Sequence, residues 1–344
     1  MLKERLRKLQ RKLRARKIDL LVLGGRENLN SNVYYYAGDD SYPALLFVTP
    51  HEAKLLSTGE KPAEKEIAFE PLKNGRKQFA QALREFKPRS VAVDAESDYA
   101  APAIFRLLKQ RFAPKNFAKE LEELRLIKDE QEKSAIREAQ RLTKRCVSAV
   151  LERGVYGRTE NAVAGALEAK ARELGAALAA FPPIVVSGER TAIPHAAPSN
   201  KKIARGDVVV IDVGCRVREY CGDYSHSFYD GSNERKRDAL AAAREAQREA
   251  LRKAKPGVNG KALAEIALHV LRDYGFEAQS FRKAGLGLGH FLGLDVHEGP
   301  RLERTTLRRG MVFTVEPGIY ERSAARGAGA SGAFGCRFED VVLL

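Results

Sequence analysis

The pattern of apolar and polar positions changes character about a third of the way along this chain. Between about residues 18 and 100, short apolar runs (IDLLVLG, ALLFVTP, AKLLST, SVAVDA) alternate with polar stretches such as GRKQFAQALREF, which predicts a small α/β domain. Ahead of them, Leu2, Leu6, Leu9 and Leu13 recur at helical spacing and predict an opening helix with a buried leucine stripe. From Pro114 onward, KNFAKELEELRLIKDEQEKSAIREAQRLTKRCVSAVLERG reads as one long charged helical stretch. Further helices are predicted at TENAVAGALEAKAREL, NERKRDALAAAREAQREALRKA and VNGKALAEIALHVLRDYG, the last closing on Gly275 as a C-cap. Strands are predicted at DVVVIDVGCRV, GLDVHE, MVFTVEPGIY and CRFEDVVLL. The second half is therefore α+β, and the boundary is placed at about residue 120, giving domains of residues 1–120 and 121–344. A length of 344 residues, more than one hydrophobic core usually serves, agrees with two domains.

Composition narrows the class of partner. With 44% apolar and 31% charged residues the chain is globular, not disordered or fibrous. No apolar run approaches the roughly 20 residues of a membrane span, so no membrane partner is expected. The opening helix is basic and poor in acids, as transit peptides and membrane-surface helices are. It lacks serines and runs directly into IDLLVLGG, so it reads as the first helix of the domain. A formal charge of +15 raises the question of nucleic acid. The basic residues, however, are spread from end to end among Glu and Asp without any RNA- or DNA-binding signature, so a solvated basic surface and no specific nucleic-acid partner are expected. Cys146, Cys215, Cys221 and Cys336 form no CxxC pair and follow no signal peptide, which points to reduced thiols in a cytoplasm.

The chemistry lies in the second half. A carboxylate inside an apolar strand is costly to bury unless something pairs with it. Asp212 stands in VVVIDVG, and Asp223, Asp295, His297, Glu316, Glu339 and Asp340 share its predicament. Taken singly, each acid reads as a loop cap or an ordinary salt bridge, and His290 and His297 read as core or surface histidines. Their succession in strand contexts, each beside a glycine or proline that lets backbones approach, argues for a joint site. Four gathered carboxylates would repel and raise one another's pKa. Two divalent cations would cancel that charge, and oxygen ligands with one imidazole suit Mn, Co, Fe or Zn. Gly327, Gly329 and Gly332 spell GxGxxG, but they lie between two predicted strands with no helix following, so they read as a loop and not a dinucleotide site.

At these residues the second half resembles the pita-bread metallopeptidases, the family of methionine aminopeptidase, aminopeptidase P and prolidase, and within it the proline-specific branch. The resemblance is carried by IPHAAPSN at His195, IDVGCRVREYCGDYSHSF with Asp212 and Asp223, GLGHFLGLDVHEGP with His290 and His297, TVEPGIY with Glu316, and GCRFEDVVLL with Glu339. The first half resembles the creatinase-type amino-terminal domain in order and length. The implied architecture is an α+β pita-bread catalytic domain preceded by a smaller α/β creatinase-type domain.

By that resemblance Asp212, Asp223, His290, Glu316 and Glu339 hold two divalent ions, with Asp223 and Glu339 bridging them, and the water shared by the ions is the nucleophile. His195 and His297 match catalytic, substrate-binding histidines, and Glu316 has a second role as the acid–base residue. Tyr320 and Arg337 match positions that hydrogen-bond the site and serve substrate binding. Two departures stand out: Ser225 and His226 replace a common Thr-Arg, and Leu286 replaces a substrate-touching histidine. The implied activity is that of an Xaa-Pro dipeptidase, with aminopeptidase P on longer peptides second. Methionine aminopeptidase fits less well, given the additional amino-terminal domain and the PHA segment. A non-catalytic binding protein on this fold, or a creatinase, would lack metal ligands that are all present here. Short proline-containing peptides are the expected substrates, Mn or Co the expected metals with Zn or Fe as alternatives, and a homodimer the implied assembly.

Overall fold

The computed structural model describes residues 2–25, 30–62, 65–96, 101–176, 179–322 and 332–344, and the chain divides into two compact units, Met1–Arg125 and Leu126–Leu344. The first unit opens with helix α1 (Leu2–Arg16), whose Leu6, Leu9 and Leu13 are buried. Its six-stranded sheet runs β4-β3-β2-β1-β5-β6. The strands are β1 (Leu20–Gly25), β2 (Ala44–Val48), β3 (Ala53–Ser57), β4 (Ile67–Pro71), β5 (Val91–Val93) and β6 (Lys115–Asn116). β1 is buried at every position, which is why its sequence runs apolar without alternation. It pairs antiparallel with β2 and parallel with β5. Helices α2 (Ser31–Ala37), α3 (Gly75–Phe86), α4 (Ala101–Lys109) and α5 (Ala118–Arg125) complete the unit. Phe79 and Ala82 of α3 close over Val22, Phe47 and Leu56 of the sheet.

The second unit departs from expectation where its long helix should begin. The single stretch predicted from residue 115 is interrupted, and α6 (Glu130–Glu152) starts afresh. Asp129 accepts from Gln131 N and Glu132 N, while Glu132 reaches back to Asp129 N, so a capping box sets the new start. Helix α7 (Glu160–Glu173) follows, then a three-stranded sheet in the order β11-β8-β7, from β7 (Ile184–Ser187), β8 (Val209–Val213) and β11 (Tyr224–Phe228). A two-stranded ribbon, β9 (Arg216–Val217) with β10 (Tyr220–Cys221), connects β8 to β11. Helix α8 (Glu234–Lys253) buries Ala239, Ala242, Ala243, Ala246 and Ala250, an alanine stripe that lets α9 (Gly260–Asp273) pack closely on it. Gly275, at φ 78°, turns the chain out of α9 as its predicted capping role requires.

The last two predicted strands are each broken in two. MVFTVEPGIY divides into β12 (Val312–Val315) and β13 (Gly318–Glu321), and CRFEDVVLL into β14 (Phe334–Arg337) and β15 (Asp340–Leu343). β12 pairs with β15 and β13 with β14, so the chain steps from one ladder to another at Glu316–Pro317 and again at Phe338–Glu339. Proline, which has no N–H to give a ladder, suits the first step. The predicted strand GLDVHE is no strand. It folds on itself, with Glu298 N donating to Phe291 O at 3.0 Å and Gly293 N to Asp295 O at 3.0 Å. Of the GxGxxG pattern, Gly327 and Gly329 lie outside the described residues.

Candidate metal centre

The acidic residues are expected within strands, and of the four candidate carboxylate ligands Asp212 alone is so placed, in β8, while Asp340 opens β15. Asp223 stands just before β11, Glu316 between β12 and β13, and Glu339 between β14 and β15. Side chains within a strand alternate strictly between faces. At a break in the ladder the backbone is freed from that alternation, and a carboxylate can turn toward the centre. Asp212 is set by register instead, lying opposite Ser225 of β11 and Ile184 of β7.

His290 gathers the cluster. Its Nε2 lies 3.5 Å from Asp223 Oδ2, 3.5 Å from Glu316 Oε1 and 3.8 Å from Glu339 Oε1. Asp223, His290 and Glu339 each offer a ligand atom, all within 4.8 Å of one another. The His290 backbone is held to β12, since Thr314 N donates to its carbonyl at 2.8 Å and its own N–H donates to Thr314 Oγ1 at 3.2 Å. Gly289 makes this approach feasible, because a Cβ there would lie 2.0 Å from Thr314 O.

Arg337 supports the opposite side. Its Nη2 donates to Asp212 Oδ2, its Nη1 to Tyr320 Oη at 2.9 Å and to Pro194 O at 3.3 Å, and its Nε to Ser225 Oγ at 2.9 Å. Ser225 Oγ in turn donates to Glu339 Oε2 at 2.7 Å, so the serine departure links Arg337 to Glu339. The family resemblance implies a substrate-binding role for Arg337. The guanidinium is 2% exposed and directed at these four partners, so it steadies Asp212 and presents no free fork to a substrate. Tyr320, also buried, faces Arg337, and burial pushes its phenol up to about 12.

The electrostatics are those of crowded, buried carboxylates. Burial first, then Glu339, Asp212 and Glu316, hold the Asp223 carboxyl well above the usual carboxylate range. Burial and then Glu316 and Asp212 do the same to Glu339. Glu316 is pushed up to about 7 by burial, which Arg337 opposes. The His290 imidazole is driven down to about 3, by burial and then by His297, and is neutral. Buried polar atoms nearly always find a partner. Here Asp212 Oδ1, Asp223 Oδ1 and Glu339 Oε1 are buried without a hydrogen bond. Unpaired carboxylate oxygens beside a neutral imidazole fit a hard or borderline divalent cation.

The outer histidines adjoin this cluster. The ring of His297 lies 4.1 Å from that of His290, centroid to centroid, at 61°. Burial lowers the pKa of His297, as does nearby His195; His195 is itself lowered by burial and by Arg337, with Asp212 opposing. His226 points away from the carboxylates, packed on Phe338 at 5.7 Å between ring centroids, and Leu286 packs against the helical core.

Sequence reasoning missed two supports. Gln140 of α6 accepts from Asp223 N at 2.8 Å and donates to Asp223 O at 2.7 Å and to Asp340 Oδ1 at 2.9 Å. Its signal was an amide on the helix's buried stripe, among Ile136, Ala139 and Thr143. Lys128 and Glu298 form a 2.6 Å ion pair with side chains 0% and 5% exposed, beneath the turn that carries His297. Nothing local in LIKDE marks that lysine.

Residues 134–344 match the model of Metallopeptidase family M24, and residues 5–127 that of the Creatinase/Prolidase N-terminal domain. The Xaa-Pro dipeptidase of Pyrococcus horikoshii is 34% identical over 326 residues, which cover 92% of this chain and 88% of that protein. Among solved structures, the prolidase from Pyrococcus horikoshii has a TM-score of 0.86 at 31% identity, covering 99% of this chain and 95% of that one. The X-Pro aminopeptidase from Thermotoga maritima has a TM-score of 0.83 at 29% identity, covering 98% and 94%. The family match spans every carboxylate and histidine of the cluster, and the chain belongs to metallopeptidase family M24.

Proposed function

We propose that this protein is an Xaa-Pro dipeptidase, with Asp212, Asp223, His290, Glu316 and Glu339 as the ligands of two divalent cations, Mn or Co. The observation that carries the reading is the convergence of Asp223, His290 and Glu339 with carboxylate oxygens that lack any other partner. Four carboxylates offset by the Arg337 guanidinium leave more negative charge than one divalent ion cancels, which supports two. When bound, the ions supply Lewis acidity that acidifies a water and polarises the scissile carbonyl.

The chain's own groups do the rest. Asp223 and Glu339 would hold the ions, with Gln140 and Ser225 fixing the orientation of these two carboxylates. Glu316, 3.5 Å from His290 and 3.9 Å from Arg337, moves the proton from attacking water to departing nitrogen. His195 and His297, both favoured in their neutral forms, hydrogen-bond the peptide beside the reacting carbonyl. A cavity of about 220 Å³ beside Tyr320 is lined by Gln279, Lys283, Ala284 and Arg322. Its two cations, Lys283 and Arg322, are solvent-exposed, and their positive charge suits a free proline carboxylate. The four cysteines are unpaired and buried, in keeping with a cytoplasmic enzyme, and a homodimer is proposed from the family resemblance.

The second reading, an aminopeptidase P, is favoured by the likeness to the Thermotoga maritima enzyme. Hydrolysis of a peptide panel by metal-reconstituted protein tests both. Cleavage confined to bonds without proline would overturn them together.

A further inference from the structure

Behind the segment that carries His195 lies a carboxylate with no place in the reaction described above. Glu160 begins α7 and is 0% exposed. Its Oε1 accepts from Ser187 N at 2.8 Å and Ser187 Oγ at 2.9 Å. Its Oε2 accepts from Ser199 N at 3.0 Å, Ser199 Oγ at 2.6 Å and Arg190 Nε at 3.1 Å. Ser187 ends β7 and Ser199 follows Pro198, so the two oxygens of one carboxylate each hold one end of the loop that contains His195. Arg190 adds a strut, donating to Ala197 O from its other side. At the loop's tip, Pro194 O accepts from Arg337, the residue that steadies Asp212.

From this geometry we infer that Glu160 is a positioning residue for His195, and that its two-oxygen clamp sets how far the imidazole reaches toward the substrate. The inference rests on the proposed role of His195 at the peptide. A carboxylate is needed because both loop ends present donors. An amide of the same shape has one acceptor oxygen, so it can serve one end only and must turn its own N–H groups on the donors of the other. The position at a helix N-terminus favours the anion and offsets part of its burial.

The test is a double-mutant cycle on Leu-Pro hydrolysis, with bound metal counted in every variant. Glu160→Gln should retain the metal and lose about 10²-fold in kcat/KM, the scale of a misplacement near 1 Å. Glu160→Gln with His195→Ala should be no slower than His195→Ala alone, whereas Glu160→Gln with His297→Ala should lose the product of the two factors. Multiplicative loss with His195→Ala overturns the inference and leaves the proposed function standing, as does a wild-type rate in Glu160→Gln. A wild-type rate in His195→Ala removes the role of His195 itself, and the inference with it. Should Glu160→Gln fail to fold, Ser199→Ala, which weakens one loop end by deleting its 2.6 Å hydroxyl bond to Glu160, enters the same cycle with the same expected non-additivity.

Discussion

Gln140 pairs its side-chain amide with the backbone of Asp223 in both directions, accepting from its N–H at 2.8 Å and donating to its carbonyl at 2.7 Å. Gly222 permits the approach, because a Cβ there would lie 2.8 Å from Gln140 N. Removing the amide by Gln140→Ala leaves two buried backbone groups unpaired, at a cost of about 1–3 kcal/mol each. It also frees a proposed ligand, so metal affinity should fall roughly 10–100-fold, as loss of an outer support generally causes. Titration of metal into apoprotein, with unfolding followed in parallel, reads both effects. Unchanged affinity would make Gln140 a purely structural residue.

Removing the metal should abolish peptide hydrolysis, and Mn or Co should restore it. The same ions should raise the midpoint of thermal unfolding, because a ligand that binds only the folded state stabilises it by mass action. Full activity in protein shown by elemental analysis to be metal-free would end the metal reading.

Without metal, the cluster should make stability fall as pH rises. Asp223, Glu316 and Glu339 have folded pKa values raised above their ordinary ones, so between the two values the folded state binds more protons than the unfolded state. The stability is present below the ordinary carboxylate range and is lost as pH rises, through about 7 in the case of Glu316. Asp223→Asn and Glu339→Gln should therefore stabilise apoprotein at neutral pH while weakening the binding of metal and stopping turnover. Denaturant midpoints of the apoprotein against pH check the sign, and a rising profile in this window would contradict it.

His195→Ala and His297→Ala should keep their metal and lose roughly 10²–10⁴ in rate, the range for removed acid–base or oxyanion groups. Metal analysis of the purified variants separates this outcome from a ligand role. Loss of an ion from either variant would place that histidine among the ligands.

Leu-Pro and Met-Pro should be cut with much higher kcat/KM than Leu-Pro-Gly, and an amide on the proline carboxyl should remove most activity. A site that binds the free carboxylate loses its charged partner when the carboxyl is amidated. Lys283→Ala and Arg322→Ala should then raise KM for Leu-Pro far more than for its amide. Preference for the tripeptide would identify an aminopeptidase P.

A set of candidate acids and histidines was legible in the chain, because such groups stand out among apolar residues, and the resemblance to the pita-bread metallopeptidases singled out five of them as ligands. The leucine stripe of α1, the alanine-rich α8 and the turn at Gly275 were equally local, since helical period and left-handed glycine are properties of neighbouring residues. The convergence was decided elsewhere. Glu316 and Glu339 turn inward where the chain changes ladders, and a change of ladder depends on strands paired across the fold. GLDVHE has the alternation of a strand, but it closes on itself and is held by Lys128, 170 residues away. Gln140 acts on a residue 83 positions distant, and nothing in its own helix marks more than a buried amide. Local sequence determined which groups were available and which segments were helical, because those depend on side-chain chemistry and short-range backbone preference. Only the tertiary structure decided which oxygens face one another and which are left without a donor, because that depends on contacts between residues far apart in the chain.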